Sequence, residues 1–109
     1  MPELPTRFRA VNWTVEVRCS GDRRVGWTCF AGIREGDRIV SEHEIRLAAG
    51  DLARLAPSAT DPTDLVERSL SFLLEREPPA SILRTFDLTV IGRFFPEYEA
   101  AIRADKRAT

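Results

Sequence analysis

The sequence predicts an α+β domain: a three-stranded antiparallel β-meander, then a packed amphipathic helix and short C-terminal helices. Three observations carry this. Apolar residues recur at every second position from Val11 to Leu47, glycine-containing turns interrupt that alternation twice, and beyond Pro57 the apolar spacing lengthens to that of a helix. With 109 residues the chain has room for one core. The expected division is a sheet over about 8–47, a linker over about 48–60 and a helical part over about 61–104 of a single domain, residues 1–109.

In the first strand Val11, Trp13, Val15, Val17 and Cys19 alternate with Asn12, Thr14, Glu16 and Arg18, so one face is apolar. Val25, Trp27, Cys29, Ala31 and Ile33 repeat the pattern after the turn at Gly21-Asp22-Arg23. Ile39, Ile45 and Leu47 continue it after Glu35-Gly36-Asp37. Paired residues must share a face, so only registers of like parity survive. Three-residue loops at the two glycines satisfy this and predict the rows Val17/Trp27/Ile45, Val15/Cys29/His43 and Trp13/Ala31/Ser41, with the second strand central.

Asp51 to Ala56 predicts one or two helical turns capped by Asp51 and stopped at Pro57. Asp61-Pro62-Thr63-Asp64 supplies a cap, a proline at the first helical position and an acid in the first turn. A helix to about Glu77 follows. Leu65, Val66, Leu70, Leu73 and Leu74 form its apolar stripe, which would cover the odd face of the sheet. Past Pro78-Pro79, a short helix is expected from Ser81 and a second from Asp87 carrying Leu88, Ile91, Phe94 and Phe95. A last helix spans Glu97 to Ala104, and the end from Asp105 should fray.

Sixteen basic residues stand against seventeen acidic ones, a formal charge of -1. Residues 61–109 alone hold nine acids and seven bases. The chain therefore lacks the cationic field on which nonspecific nucleic-acid binding depends. Fifteen of the bases are Arg, a bias that GC-rich codons of a bacterial genome also produce. The first residues lack the charged-then-apolar pattern of a signal peptide, and no apolar run approaches the roughly 18 residues of a membrane span. A cytoplasmic protein is expected.

Chemistry-bearing residues are few. The expected register sets Cys29 beside His43, and an imidazole can take a thiol's proton to make a nucleophile. Both, however, belong to the inward row, where burial keeps a thiol inert. They are weak catalytic candidates for an enzyme or redox sensor. In the same register Cys19 lies over about 10 Å from Cys29, beyond the roughly 7 Å between Cα atoms that a disulfide spans. One His and two Cys are too few for a structural zinc site, so neither metal nor cofactor is expected. Glu42 and Glu44 flank His43 but point outward. Ser81 to Arg93 has the outline of a helix-turn-helix, but Asp87 holds the place of the turn glycine and the second helix is too apolar to read DNA. P-loop, GxGxxG, GxSxG and HExxH motifs are lacking.

The even face says more about partners. Its expected rows are Arg18/Gly26/Arg46, Glu16/Thr28/Glu44, Thr14/Phe30/Glu42 and Asn12/Gly32/Val40, which places the apolar Phe30 and Val40 on a face without obvious cover. Edge strands can also pair with a second chain. The sequence thus favours a small intracellular interaction or regulatory module that self-associates through the sheet face or an edge, with Phe30, Val40, Arg18 and Arg46 at the contact. The competing expectation is nucleic-acid binding through Arg18, Arg46, Arg23, Arg24, Arg34 and Arg38 gathered in space.

Overall fold

The computed structural model describes residues 13–104; the expected strand start at 8–12 and the end from Asp105 lie outside the described residues. Strands β1 (Trp13–Asp22), β2 (Gly26–Glu35) and β3 (Arg38–Leu47) form the antiparallel meander. Helices α1 (Ala49–Leu55) and α2 (Thr63–Leu74) follow, and then a 3-10 turn at Pro79–Ser81. A fourth strand, β4 (Thr85–Asp87), runs parallel to β3 at its outer side and gives the order β1-β2-β3-β4. The chain closes with a 3-10 turn (Leu88–Val90) and helices α3 (Ile91–Phe94) and α4 (Tyr98–Ala104). The fold is therefore α+β with a mixed sheet, and β4 replaces the later part of the helix expected from Ser81. Thr85 and Phe86 suit a strand, and Phe86 lies opposite Ile45 with its side chain buried.

The strands keep the expected faces but not the expected rows. Cys19 pairs with Cys29, Val17 with Ala31 and Val15 with Ile33, because the first turn falls on Arg23, Arg24 and Val25, two positions later than expected. Asp22 accounts for the shift: its Oδ1 accepts hydrogen bonds from the backbone N–H groups of Arg24 (2.8 Å) and Val25 (3.0 Å), closing the turn from inside. Gly21 sits behind that turn at φ +125°, where a Cβ would overlap the carbonyl oxygen of Gly26. Val25, expected on the buried face, is 81% exposed in the turn.

The second hairpin turns on Gly36 and Asp37, so that Glu35 pairs with Arg38 and Arg34 with Ile39. A two-residue loop alone would leave odd opposite even. A bulge between Ile33 and Arg34 of the ladder absorbs one extra β3 residue, Val40, after which Ile33 pairs with Ser41 and like faces meet again. Ile39 thereby moves to the even face, and Val40 turns to pack against the core. Both placements reverse the expected ones.

The helices seal the odd face. Cys29, Ile33 and Ile45 from the sheet and Leu65, Val66 and Leu70 from α2 are wholly buried. Inside this layer Tyr98 and Ser69 share a 2.6 Å hydrogen bond, and the Ser69 hydroxyl lies 2.8 Å from the Leu65 carbonyl. Burial pushes the Tyr98 phenol up to about 12, against smaller opposing effects of Ser69 and Arg68. Arg68 on α2 bonds to Asp64 (2.8 Å) and to the carbonyl of Ile102 (3.2 Å), which fixes α4 against α2.

Candidate interaction surface of the sheet

Among the described residues, no element lies over the even face. Its observed rows run Ser20/Thr28/Arg46, Arg18/Phe30/Glu44 and Glu16/Gly32/Glu42 across β1, β2 and β3. Phe30 is 49% exposed at the middle of the sheet and Ile39 is 48% exposed near the second hairpin. Between them Gly32 leaves bare backbone, since a Cβ there would meet nothing within 4 Å. The result is a shallow groove of about 670 Å³, bordered by Glu16, Arg18, Phe30, Ile39 and Glu42.

Most arginines around this face stand beside carboxylates. Arg34 Nε donates to Glu16 Oε2 at 3.1 Å and its Nη1 to the carbonyl of Asp37. Arg46 Nε donates to Asp87 Oδ1 at 3.0 Å, with Glu44 4.0 Å from its Nη1, and Arg38 pairs with Glu35 at 3.6 Å. These exposed pairs add little stability, but each cancels a charge that phosphate would need. Arg18 has no carboxylate within ion-pair distance among the described residues. It flanks Phe30 on the side opposite Glu44, so that row reads basic, aromatic, acidic.

Of the expected partner-contact residues, the structure brings Arg18 and Phe30 together, sets Arg46 one row away beside Asp87, and removes Val40 to the core side. Ile39 takes the surface position that parity assigned to Val40. A second apolar surface escaped the sequence reading. Phe94, expected in a packed stripe, is 65% exposed and with Leu83 borders a groove of about 380 Å³ whose lining includes Leu73, Phe86 and Phe95. The Pro96 break after α3 leaves only one turn of helix, too short to bury both phenylalanines.

The Cys29/His43 candidate pair does not form. Cys29 is disulfide-bonded to Cys19, with Cα atoms 3.9 Å apart, and His43 pairs instead with Ala31. The turn two positions later shifts the β1–β2 register by four residues, and that shift brings the cysteines opposite each other. A thiol held in a disulfide is no nucleophile for His43 to activate. His43 itself is 4% exposed, and both ring nitrogens are engaged. Nδ1 donates to the carbonyl of Leu83 at 2.7 Å, and Nε2 shares a hydrogen bond with the Ser41 hydroxyl at 2.8 Å. The ring fastens β3 to the stretch before β4. No group of three or more metal-ligating side chains occurs among the described residues, and no helix there is long and apolar enough to cross a membrane.

Comparison with protein-family models, curated proteins and solved structures gives no match.

Proposed function

We propose that this chain is a small protein-interaction module that works by self-association through its sheet, by the open even face or by an edge strand. The observation that carries the reading is the one-sided sheet: helices seal its odd face, while the even face presents Phe30 and Ile39 on either side of bare Gly32. Large apolar side chains gathered at a groove mark contact sites more often than scattered ones do. The charge pattern suits a second copy, because a row that is basic at one end and acidic at the other is complementary to its own reversal.

Nucleic-acid binding has less support, since Arg34, Arg38 and Arg46 face carboxylates instead of an open groove. A catalytic Cys29 and His43 have none, for the reasons of geometry given above. The disulfide also bears on location. Such bonds persist in oxidising compartments, whereas the cytoplasm keeps cysteines reduced, so the Cys19–Cys29 bond favours an oxidising compartment over a cytoplasmic one.

Sedimentation velocity and light scattering over a wide concentration range test the proposal. A mass that rises with concentration to at least twice that of one chain is expected. One-chain mass at every concentration overturns it.

A further inference from the structure

The β1 edge is the longest stretch of unpaired backbone in the sheet among the described residues. Strand β1 is ten residues long, pairs on one side only, and carries neither proline nor bulge. Proteins usually blunt such an edge. Its inward side chains are also incompletely covered: Trp13, Val15, Val17 and Cys19 are all half-buried, whereas Ile33, Ala31 and Cys29, opposite Val15, Val17 and Cys19 on β2, are buried.

The backbone shows which residues can bond outward. Cys19 and Cys29 approach to 3.9 Å between Cα atoms, the close spacing of a non-hydrogen-bonded antiparallel pair. Hydrogen-bonded and non-hydrogen-bonded pairs alternate, so Arg18, Glu16 and Thr14 direct their N–H and C=O groups to β2. Cys19, Val17, Val15 and Trp13 direct theirs to the open side.

We infer that a second copy of this chain pairs with β1 in antiparallel register about a two-fold axis at Val17, joining two four-stranded sheets into one of eight. The inference rests on the self-association reading and specifies its contact. A two-fold between residues would set odd opposite even and turn the apolar faces apart. A two-fold at Glu16 or Arg18 would also use the outward backbone groups, but it sets Glu16 against Glu16 or Arg18 against Arg18, like charges directly opposite each other. A two-fold at Cys19 sets Glu16 against Asp22 of the second copy, again like charges. One at Val15 sets Glu16 against Thr14 and, among the described residues, pairs only 13–17, so it brings no opposite charges together there.

At Val17 every term agrees. Val17 meets Val17 and Val15 meets Cys19 on the apolar face, so the half-buried row gains its missing neighbour. On the other face Glu16 lies opposite Arg18 of the second copy, and Arg18 opposite Glu16. These are non-hydrogen-bonded positions on the new ladder, where side chains approach closest. The two open even faces then form one continuous surface.

Charge reversal tests this in the full chain, with both positions exposed and the fold checked by circular dichroism. Glu16→Arg alone and Arg18→Glu alone should each weaken association about tenfold or more, since each turns two attractive pairs repulsive. An equimolar mixture of the two variants should restore a dimer containing one of each. Wild-type association that survives Glu16→Arg unchanged, or a mixture that stays monomeric, overturns the register. Association lost in Phe30→Ser but intact in both charge variants places the contact on the even face and overturns it as well. A monomeric wild type removes the self-association reading itself.

Discussion

Cys19 stands directly opposite Cys29 in the β1–β2 ladder, and their sulfurs are joined across a hairpin with a sequence separation of ten. The bond restricts a short loop of the unfolded chain, an effect of about 2–3 kcal/mol at this length. Reduction, or replacement of both cysteines by serine, should lower the unfolding free energy by that amount and move the denaturation midpoint down accordingly. After reduction the far-ultraviolet circular dichroism should hold, because the backbone ladder remains and Cys29 fits its apolar site as a small hydrophobe. Denaturant titration with and without a dithiol checks this. A midpoint that does not move, or two alkylatable thiols in the untreated protein, contradicts it.

That pairing also shows what the sequence could and could not reveal. Alternation assigns faces, so the inward placement of Cys29, Ile33 and Ile45 and the outward placement of Phe30 were legible. A slip by an even number of residues, here four, preserves every face, so parity could not separate Cys19/Cys29 from the expected Val15/Cys29. The signal that decides is Asp22, whose side chain closes a turn after itself instead of occupying it. Ile39 and Val40 were misplaced because the two-residue loop changes parity and the bulge at Val40 restores it within a few residues, too short a stretch for alternation to register. Strand β4, at three residues, is shorter than any period that could announce it. The charge alternation Glu16/Arg18 was visible, but its use at an edge depends on which way the backbone groups point.

Tyr98 is the only tyrosine in the chain, so tyrosinate absorbance reports on it alone. Its phenol is pushed by burial up to about 12, above the roughly 10 of an exposed tyrosine. The unfolded chain thus releases this proton at lower pH than the native one. Its contribution to stability is complete below about pH 10 and is lost as pH rises toward 12, a change of about 3 kcal/mol. Ultraviolet titration should place the native ionisation near 12. Tyr98→Phe should remove the alkaline dependence while costing about 1 kcal/mol at neutral pH for the bond to Ser69, whose hydroxyl still has the Leu65 carbonyl as a partner. An ionisation at the ordinary value would show that the ring is not buried.

Two glycines in the sheet should respond oppositely to alanine. Gly21 lies at φ +125°, and a methyl group there would overlap the Gly26 carbonyl oxygen and crowd Trp27. Gly21→Ala should therefore cost about 2 kcal/mol or more, from strain and steric overlap together. Gly32 has negative φ and open space around its missing side chain, so Gly32→Ala should change the thermal midpoint little or raise it. Equal losses at both positions would contradict the hairpin geometry.

Phe30 and Leu70 carry comparable apolar bulk but occupy different environments. Leu70 is fully enclosed between α2 and the sheet, whereas Phe30 keeps 49% of its surface in solvent. Leu70→Ala removes buried methyl groups and leaves a cavity, which should cost about 2–5 kcal/mol. Phe30→Ser removes a ring with only part of its area sheltered and should cost under about 1 kcal/mol. Denaturant titrations of the two variants give the comparison. The contrast decides between two uses of the aromatic ring: a large loss at Phe30 means that it holds the fold together, whereas a small loss leaves its bulk unaccounted for by folding. A ring that folding does not need, placed beside Arg18 and above bare Gly32, is then a contact side chain, and its removal should change assembly or solubility before it changes stability.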